Sequence, residues 1–206
     1  LTVLRLLLAA AFFVVLNMYR YPVGPAWALW TALVLFVIGA VTDALDGYLA
    51  RRWHVESRFG RIMDPVCDKV LVLGAFMYLA GPRFVIPEAT QAGAFFNMAS
   101  GLYPWMVAVM LARELLVTAI RGELERVGIY FPSKLMGKLK MILQSIVVPV
   151  ILFIVSFDPH HNEQHAWMII VRDVFVYSTV AVTALSGWPY ITGAMRASRG
   201  SDEPKA

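Results

Sequence analysis

The sequence predicts an all-α polytopic membrane protein with six transmembrane helices. Three observations predict it: 59% of the residues are hydrophobic, the mean hydropathy is +0.66, and the apolar residues gather in runs of bilayer-spanning length. With 16% charged residues the chain is too apolar for an ordinary soluble domain. Its 206 residues accommodate roughly six spans of about 20 residues with short loops. The expected organisation is one membrane domain over residues 1–196 and a flexible tail over 197–206.

The opening run, Leu1 to about Tyr19, reads as a spanning helix rather than a cleaved leader, because no small-residue cleavage pattern is evident. Since the chain starts at Leu1, part of a native N-terminus is expected to precede it. The second helix is expected from about Gly24 to Trp53, with Asp43, Asp46, Arg51 and Arg52 in its last third. A polar connection, in which Ser57 suits a cap, leads to a third helix from about Arg58 to Ala80. Gly81 to Ser100 stays amphipathic, with Pro82, Pro87, Phe95 and Phe96, and is expected on the membrane interface. The fourth helix runs from about Gly101 to Arg126, with Pro104 tolerated in its first turn. A fifth follows Pro132 and Ser133 to about Phe157 and is expected to kink at Pro149. After a polar loop, Asp158 to His165, the sixth helix occupies Ala166 to Met195.

An even number of spans places both termini on one side, together with the loops after helices two and four. Arg5, Arg51, Arg52, Arg58, Arg61, Arg121, Arg126, Lys134, Lys138, Lys140, Arg196, Arg199 and Lys205 fall on that side, against Arg20 and Arg83 opposite. The excess of positive charge on cytoplasmic loops makes that side the cytoplasm. The net charge of +4 and pI of about 9.3 therefore report topology rather than nucleic-acid binding. The basic residues are shared among loops, with no interleaved aromatic platform. The lone Cys67 excludes an internal disulfide framework and reads as a packing residue.

Four acids stand where hydrocarbon is expected. Asp43, Asp46, Gly47 and Ala50 share one helical stripe, and Gly60, Asp64 and Asp68 another. With the turn centred near Glu56, the two stripes meet at matching depths. At about 1.5 Å per residue, the carboxylates lie roughly 12–20 Å from that turn, in the cytoplasmic half of the membrane. Four carboxylates brought together repel unless a cation compensates them. Oxygen ligands of this kind suit Mg²⁺, Mn²⁺ or Ca²⁺ rather than zinc. The small residues between them leave room for a bulky group such as a pyrophosphate. Two other readings use the same acids: a protonated network joining two helices, and a proton or cation pathway.

These residues resemble the signature of the CDP-alcohol phosphotransferase family, D-x2-D-G-x2-A-R-x8-G-x3-D-x3-D. Asp43, Asp46, Gly47, Ala50, Arg51, Gly60, Asp64 and Asp68 fill every specified position. The resemblance implies a six-helix enzyme that transfers a substituted phosphate from a CDP-linked lipid to an alcohol and releases CMP. It implies Asp43, Asp46, Asp64 and Asp68 as the carboxylates of a Mg²⁺ or Mn²⁺ site, with Asp68 also the base that deprotonates the attacking hydroxyl. Gly47, Ala50, Arg51 and Gly60 would border the CDP moiety, and Thr2, in the opening LTVLR, would touch it. A homodimer is implied as well.

A second run, ARELLVTAIRGELE followed by GKLKMILQ, brings Arg113, Arg121, Lys138 and Lys140 toward the cytoplasmic half of helices four and five. Four cations beside an acid-rich site suit an anionic acceptor. Topology alone, with Arg113 paired to Glu114 or Glu125, is the alternative. The run resembles the phosphatidylglycerol phosphate synthase branch of the family, although Met141 stands where threonine is usual. By that resemblance the four cations would bind the phosphate of sn-glycerol 3-phosphate, the donor would be CDP-diacylglycerol, and the site would face the cytoplasm from a bacterial inner membrane. Other acceptors in the family would make a cardiolipin, phosphatidylinositol phosphate or phosphatidylserine synthase.

The remaining conspicuous residues have simpler expectations. His160, His161 and His165 read as a solvated loop, and Arg172 with Asp173 as a local pair near the outer interface. Trp53, Trp167 and Trp188 read as interface anchors.

Overall fold

A computed structural model describes the backbone of residues 2–53, 58–87, 97–126, 135–157 and 166–201, without the side chains at 2–3, 43–53, 58–68, 125 and 196–201. The described residues are helical apart from turns, a 3₁₀ turn at Pro82–Phe84 and one isolated antiparallel bridge between Val85 and Met98. The helices are α1 (Thr2–Asn17), α2 (Ala26–Trp53), α3 (Arg58–Leu79), α4 (Pro104–Arg126), α5 (Leu135–Phe157), α6 (Ala166–Leu185) and α7 (Trp188–Ser201).

The expected helices are therefore present, with three differences. The sixth is broken in two at Ser186–Gly187, where Pro189 restarts the chain as α7. That last helix runs on to Ser201, past the point where a flexible tail was expected to begin. α4 starts at Pro104 rather than Gly101, because Gly101 adopts a left-handed φ of +67° that a helix does not accept. The helix α5 continues through Pro149. Ser57 and the His160, His161 and His165 loop lie outside the described residues.

α1 packs between α2 and α3, α2 also packs on α5, α5 on α6, and α4 on α3, α6 and α7. Aromatic pairs mark the seams. Phe12 meets Phe36 across α1 and α2, Phe13 stacks on Tyr78 of α3, and Trp30 meets Phe153 across α2 and α5, with ring centroids 5.3–5.7 Å apart. Small residues let the helices approach, as they do where lipid removes any apolar drive to associate. A Cβ on Gly74 would overlap the Phe13 ring at 2.3 Å, and one on Gly39 would come within 2.9 Å of Leu71.

The outer surface is apolar. Val14, Ile170 and Trp188 are each more than 60% exposed, with Leu7, Leu115 and Leu185 alike. An apolar surface on this scale suits lipid rather than water. By length and composition α5 and the Ala166–Met195 stretch are long and apolar enough to cross a membrane. Leu4–Asn17, Ala26–Thr42 and Lys69–Leu79 are shorter apolar stretches among the described residues. The middle of the bundle is dry. Phe76 and Leu79 of α3, Met106 and Met110 of α4, and Val147 and Ile151 of α5 have no accessible surface.

The connection between α3 and α4 is described at residues 81–87 and 97–100, while Phe95 and Phe96 of the interfacial expectation lie outside the described residues. Phe84, Met98, Ala99 and Ser100 are buried, and Ile86 N–H donates to the Asn97 carbonyl. Arg172 ties this connection to α6: its Nη1 donates to the Ala99 carbonyl at 2.7 Å while Nε donates to Asp173 at 2.8 Å. The expected local pair is thus also a clamp. A Cβ at Gly101 would sit 2.6 Å from Arg172 Nε. Gly101→Ala is expected to destabilise the protein by roughly 1–3 kcal/mol, combining positive-φ strain with displacement of the clamp. A thermal unfolding midpoint unchanged from wild type would contradict this.

Candidate active site

A cavity of about 650 Å³ lies among the start of α1, the middle of α2, α3 beyond residue 68, the second half of α4, the start of α5, and Tyr190 of α7. Arg113, Arg121, Lys138 and Lys140, separated by as many as 27 positions in sequence, all line it. The structure adds cations that the basic run of α4 and α5 does not contain. Arg5, expected only to mark topology, is buried and lines the cavity, as does Lys69. Gly122 and Gly137 stand on the wall, and a Cβ added to either would meet nothing within 4 Å, which keeps the opening wide.

Glu114 is the carboxylate among the described lining residues, and it organises the floor. Its Oε1 accepts from Lys140 Nζ in a short contact and from Arg113 Nη1 at 3.1 Å. All three side chains are less than 10% exposed. Two cations share one carboxylate, so the local Arg113–Glu114 pair of the alternative reading is present as part of a triad. Arg113 Nη2 also donates to the Ser186 carbonyl at 3.3 Å, and Gly187 lies against its Cγ. The break between α6 and α7 therefore supplies an acceptor that a continuous helix would have kept for itself. Arg113 Nε is buried with no hydrogen-bond partner among the described residues.

A second link crosses the cavity wall. Lys69 Nζ donates to Thr118 Oγ1 at 2.6 Å, and that hydroxyl donates to the Glu114 carbonyl at 2.7 Å. Farther in, Gln144 Nε2 donates to Thr183 Oγ1 at 3.3 Å, joining α5 to α6. One turn of α4 thus holds α3, α5 and the α6–α7 break in register.

Of the signature residues, Asp43, Asp46, Gly47, Ala50 and Arg51 lie on α2, and Gly60, Asp64 and Asp68 on α3. Their side chains, and those of Thr2, Trp53 and Cys67, are outside the described residues. The backbone still constrains them. α2 and α3 approach closely where Gly39 meets Leu71, and both residues line the cavity. Asp43 follows Gly39 by one turn and Asp68 precedes Leu71 by about one turn, so both stations fall toward the 53–58 connection.

The sequence matches the family model of CDP-alcohol phosphatidyltransferases over residues 1–186. The chain belongs to the CDP-alcohol phosphatidyltransferase family. It is 34% identical over 154 residues to a CDP-diacylglycerol--glycerol-3-phosphate 3-phosphatidyltransferase of Cereibacter sphaeroides, covering 73% of this chain and 60% of that one. It is 30% identical over 159 residues to the protein of that name from Bacillus subtilis strain 168, covering 77% and 70%. Against the Escherichia coli K12 protein of that name it is 34% identical over 132 residues, covering 62% and 59%. The chain thus spans about 60% of the length of two of these relatives. CDP-alcohol phosphatidyltransferases are membrane-bound transferases of phospholipid synthesis, which agrees with the apolar outer surface and the two long apolar helices described above.

Proposed function

We propose that this CDP-alcohol phosphatidyltransferase moves a phosphatidyl group from CDP-diacylglycerol to sn-glycerol 3-phosphate, giving phosphatidylglycerol phosphate and CMP. The observation that carries the acceptor is the convergence of Arg113, Arg121, Lys138 and Lys140 on one cavity. A phosphate monoester is a small dianion, and guanidinium and ammonium groups recognise it by charge and by directed hydrogen bonds. The names of the relatives from C. sphaeroides and B. subtilis support the same acceptor.

The donor set on α2 and α3 fits a divalent metal. Asp43, Asp46, Asp64 and Asp68 offer oxygen alone, on two helices that approach closely, and hard ions such as Mg²⁺ or Mn²⁺ take such ligands. When bound, the metal would neutralise the phosphoryl oxygens of the donor. Asp68 takes the proton of the acceptor's primary hydroxyl. The freed oxygen bonds to the β-phosphorus of CDP-diacylglycerol as the bond from that phosphorus to the bridging oxygen breaks, and CMP departs with the electron pair. Gly47, Ala50, Arg51, Gly60 and Thr2 border the CDP moiety in this reading. The site faces the cytoplasm from a bacterial cytoplasmic membrane, a reading supported by the excess of positive charge on that side.

Metal-dependent CMP release by the purified protein tests the reading. With CDP-diacylglycerol and Mg²⁺ or Mn²⁺, release is expected on adding sn-glycerol 3-phosphate and not phosphatidylglycerol, inositol phosphate or serine. Release with one of the latter alone would replace the acceptor. No release with any of them would remove the enzyme reading in favour of a cation pathway.

A further inference from the structure

We propose that Lys69 is a phosphate-binding residue of the cavity, which neither the family signature nor the basic run of α4 and α5 includes. Charge is shared unevenly among the cations of the cavity. Arg113 and Lys140 are both held by Glu114, so part of their charge is already met within the protein. Lys69 differs. Its ammonium lines the same cavity, and among the described residues its partner is a neutral hydroxyl, Thr118 Oγ1 at 2.6 Å.

The geometry of that hydroxyl is informative. Thr118 gives its own proton to the Glu114 carbonyl at 2.7 Å, so its oxygen is left to accept from Lys69. The ammonium has three donors and this bond uses one. Two donors are therefore left for an anionic ligand that enters the cavity. Lys69 also stands one residue after Asp68 on α3. Its ammonium reaches Thr118 on α4, so it joins α3 to the wall of the cavity.

The ligand is a phosphate group. It belongs either to the acceptor's monoester or to the donor's pyrophosphate, and the proposal rests on the reaction inferred above only for those two sources. Thr118 is the positioning residue that aims Lys69.

The test uses the full chain in lipid nanodiscs, with inorganic phosphate as the titrant in calorimetry. Lys69→Met is expected to bind phosphate about tenfold more weakly or worse. Lys69→Arg, which keeps the charge, is expected within about threefold of wild type, and Thr118→Val, which keeps the ammonium but not its anchor, in between. Wild-type affinity in Lys69→Met overturns the proposal. So does a Lys69→Arg variant as weak as Lys69→Met. If Lys69→Met does not fold, wild-type phosphate affinity in Thr118→Val overturns it instead.

Kinetics assign the source. A raised KM for sn-glycerol 3-phosphate alone places Lys69 on the acceptor, and a raised KM for CDP-diacylglycerol alone places it on the donor. If both stay at the wild-type value, Lys69 binds no substrate phosphate and the proposal fails. A wild-type protein that binds phosphate through Lys69 but does not turn over sn-glycerol 3-phosphate would sink the acceptor assignment while leaving Lys69 in place.

Discussion

Asp68→Asn is expected to lower turnover by about 10²–10⁴-fold, the range a positioned general base contributes. The change is nearly isosteric, so the fold and CMP binding should persist. The amide cannot take the proton of the attacking hydroxyl, and it is a poorer ligand for a hard cation. Two measurements separate these losses. If raising Mg²⁺ or Mn²⁺ restores most of the rate, Asp68 serves the metal rather than the proton. If the rate stays low at saturating metal while CMP still binds, the base assignment stands. Turnover equal to wild type would remove Asp68 from the chemistry.

Glu114→Ala is expected to cost about 3–5 kcal/mol of stability, because removing one partner of a buried ion pair strands the other. Here it strands two: Arg113 and Lys140, each with a side chain less than 10% exposed. The loss should appear as a lower thermal midpoint in nanodiscs and be partly recovered in Glu114→Ala with Lys140→Met, which removes a stranded charge as well. The double variant also isolates function. If it is as stable as wild type yet has a raised KM for sn-glycerol 3-phosphate, Lys140 contributes binding beyond its structural pairing. A Glu114→Ala protein as stable as wild type would show that the triad is not maintained in the membrane.

Much of the architecture was legible because each helix is a long apolar run closed by polar residues. The break at Ser186–Gly187 was hidden by its apolar flanks, although Ser-Gly followed two residues later by Pro189 is a stop-and-restart signal. The amphipathic pattern of residues 81–100 gave polarity but not depth. Buried Ser100 donates to the Leu79 carbonyl of α3, and Ala99 accepts from Arg172 of α6 while its N–H donates to the Phe84 carbonyl, bonds that local sequence does not encode.

At the site, the four cations of α4 and α5 were visible as a cluster because positive residues are unusual at such positions. Arg5 and Lys69 were not: Arg5 is the one charge of α1, Lys69 stands beside Asp68 away from the basic run, and only packing brings them to the cavity. Glu114 was seen as a neighbour of Arg113, but its pairing with Lys140 joins residues 26 positions apart. The aspartates stand out in the sequence because they belong to a pattern of eight spaced positions that needs no tertiary contact to be seen, and their side chains lie outside the described residues.

The dry middle of the bundle has a further consequence. Along α3, α4 and α5 alike, the polar cavity gives way to side chains with no accessible surface before the Arg172 clamp is reached at the opposite end. Among the described residues, an ion moving from the cavity toward Arg172 would meet the buried apolar side chains of Phe76, Leu79, Met106, Val147 and Ile151, at a cost of several kcal/mol. The packed middle thus separates the cations of the cavity from Arg172 at the other end of the bundle.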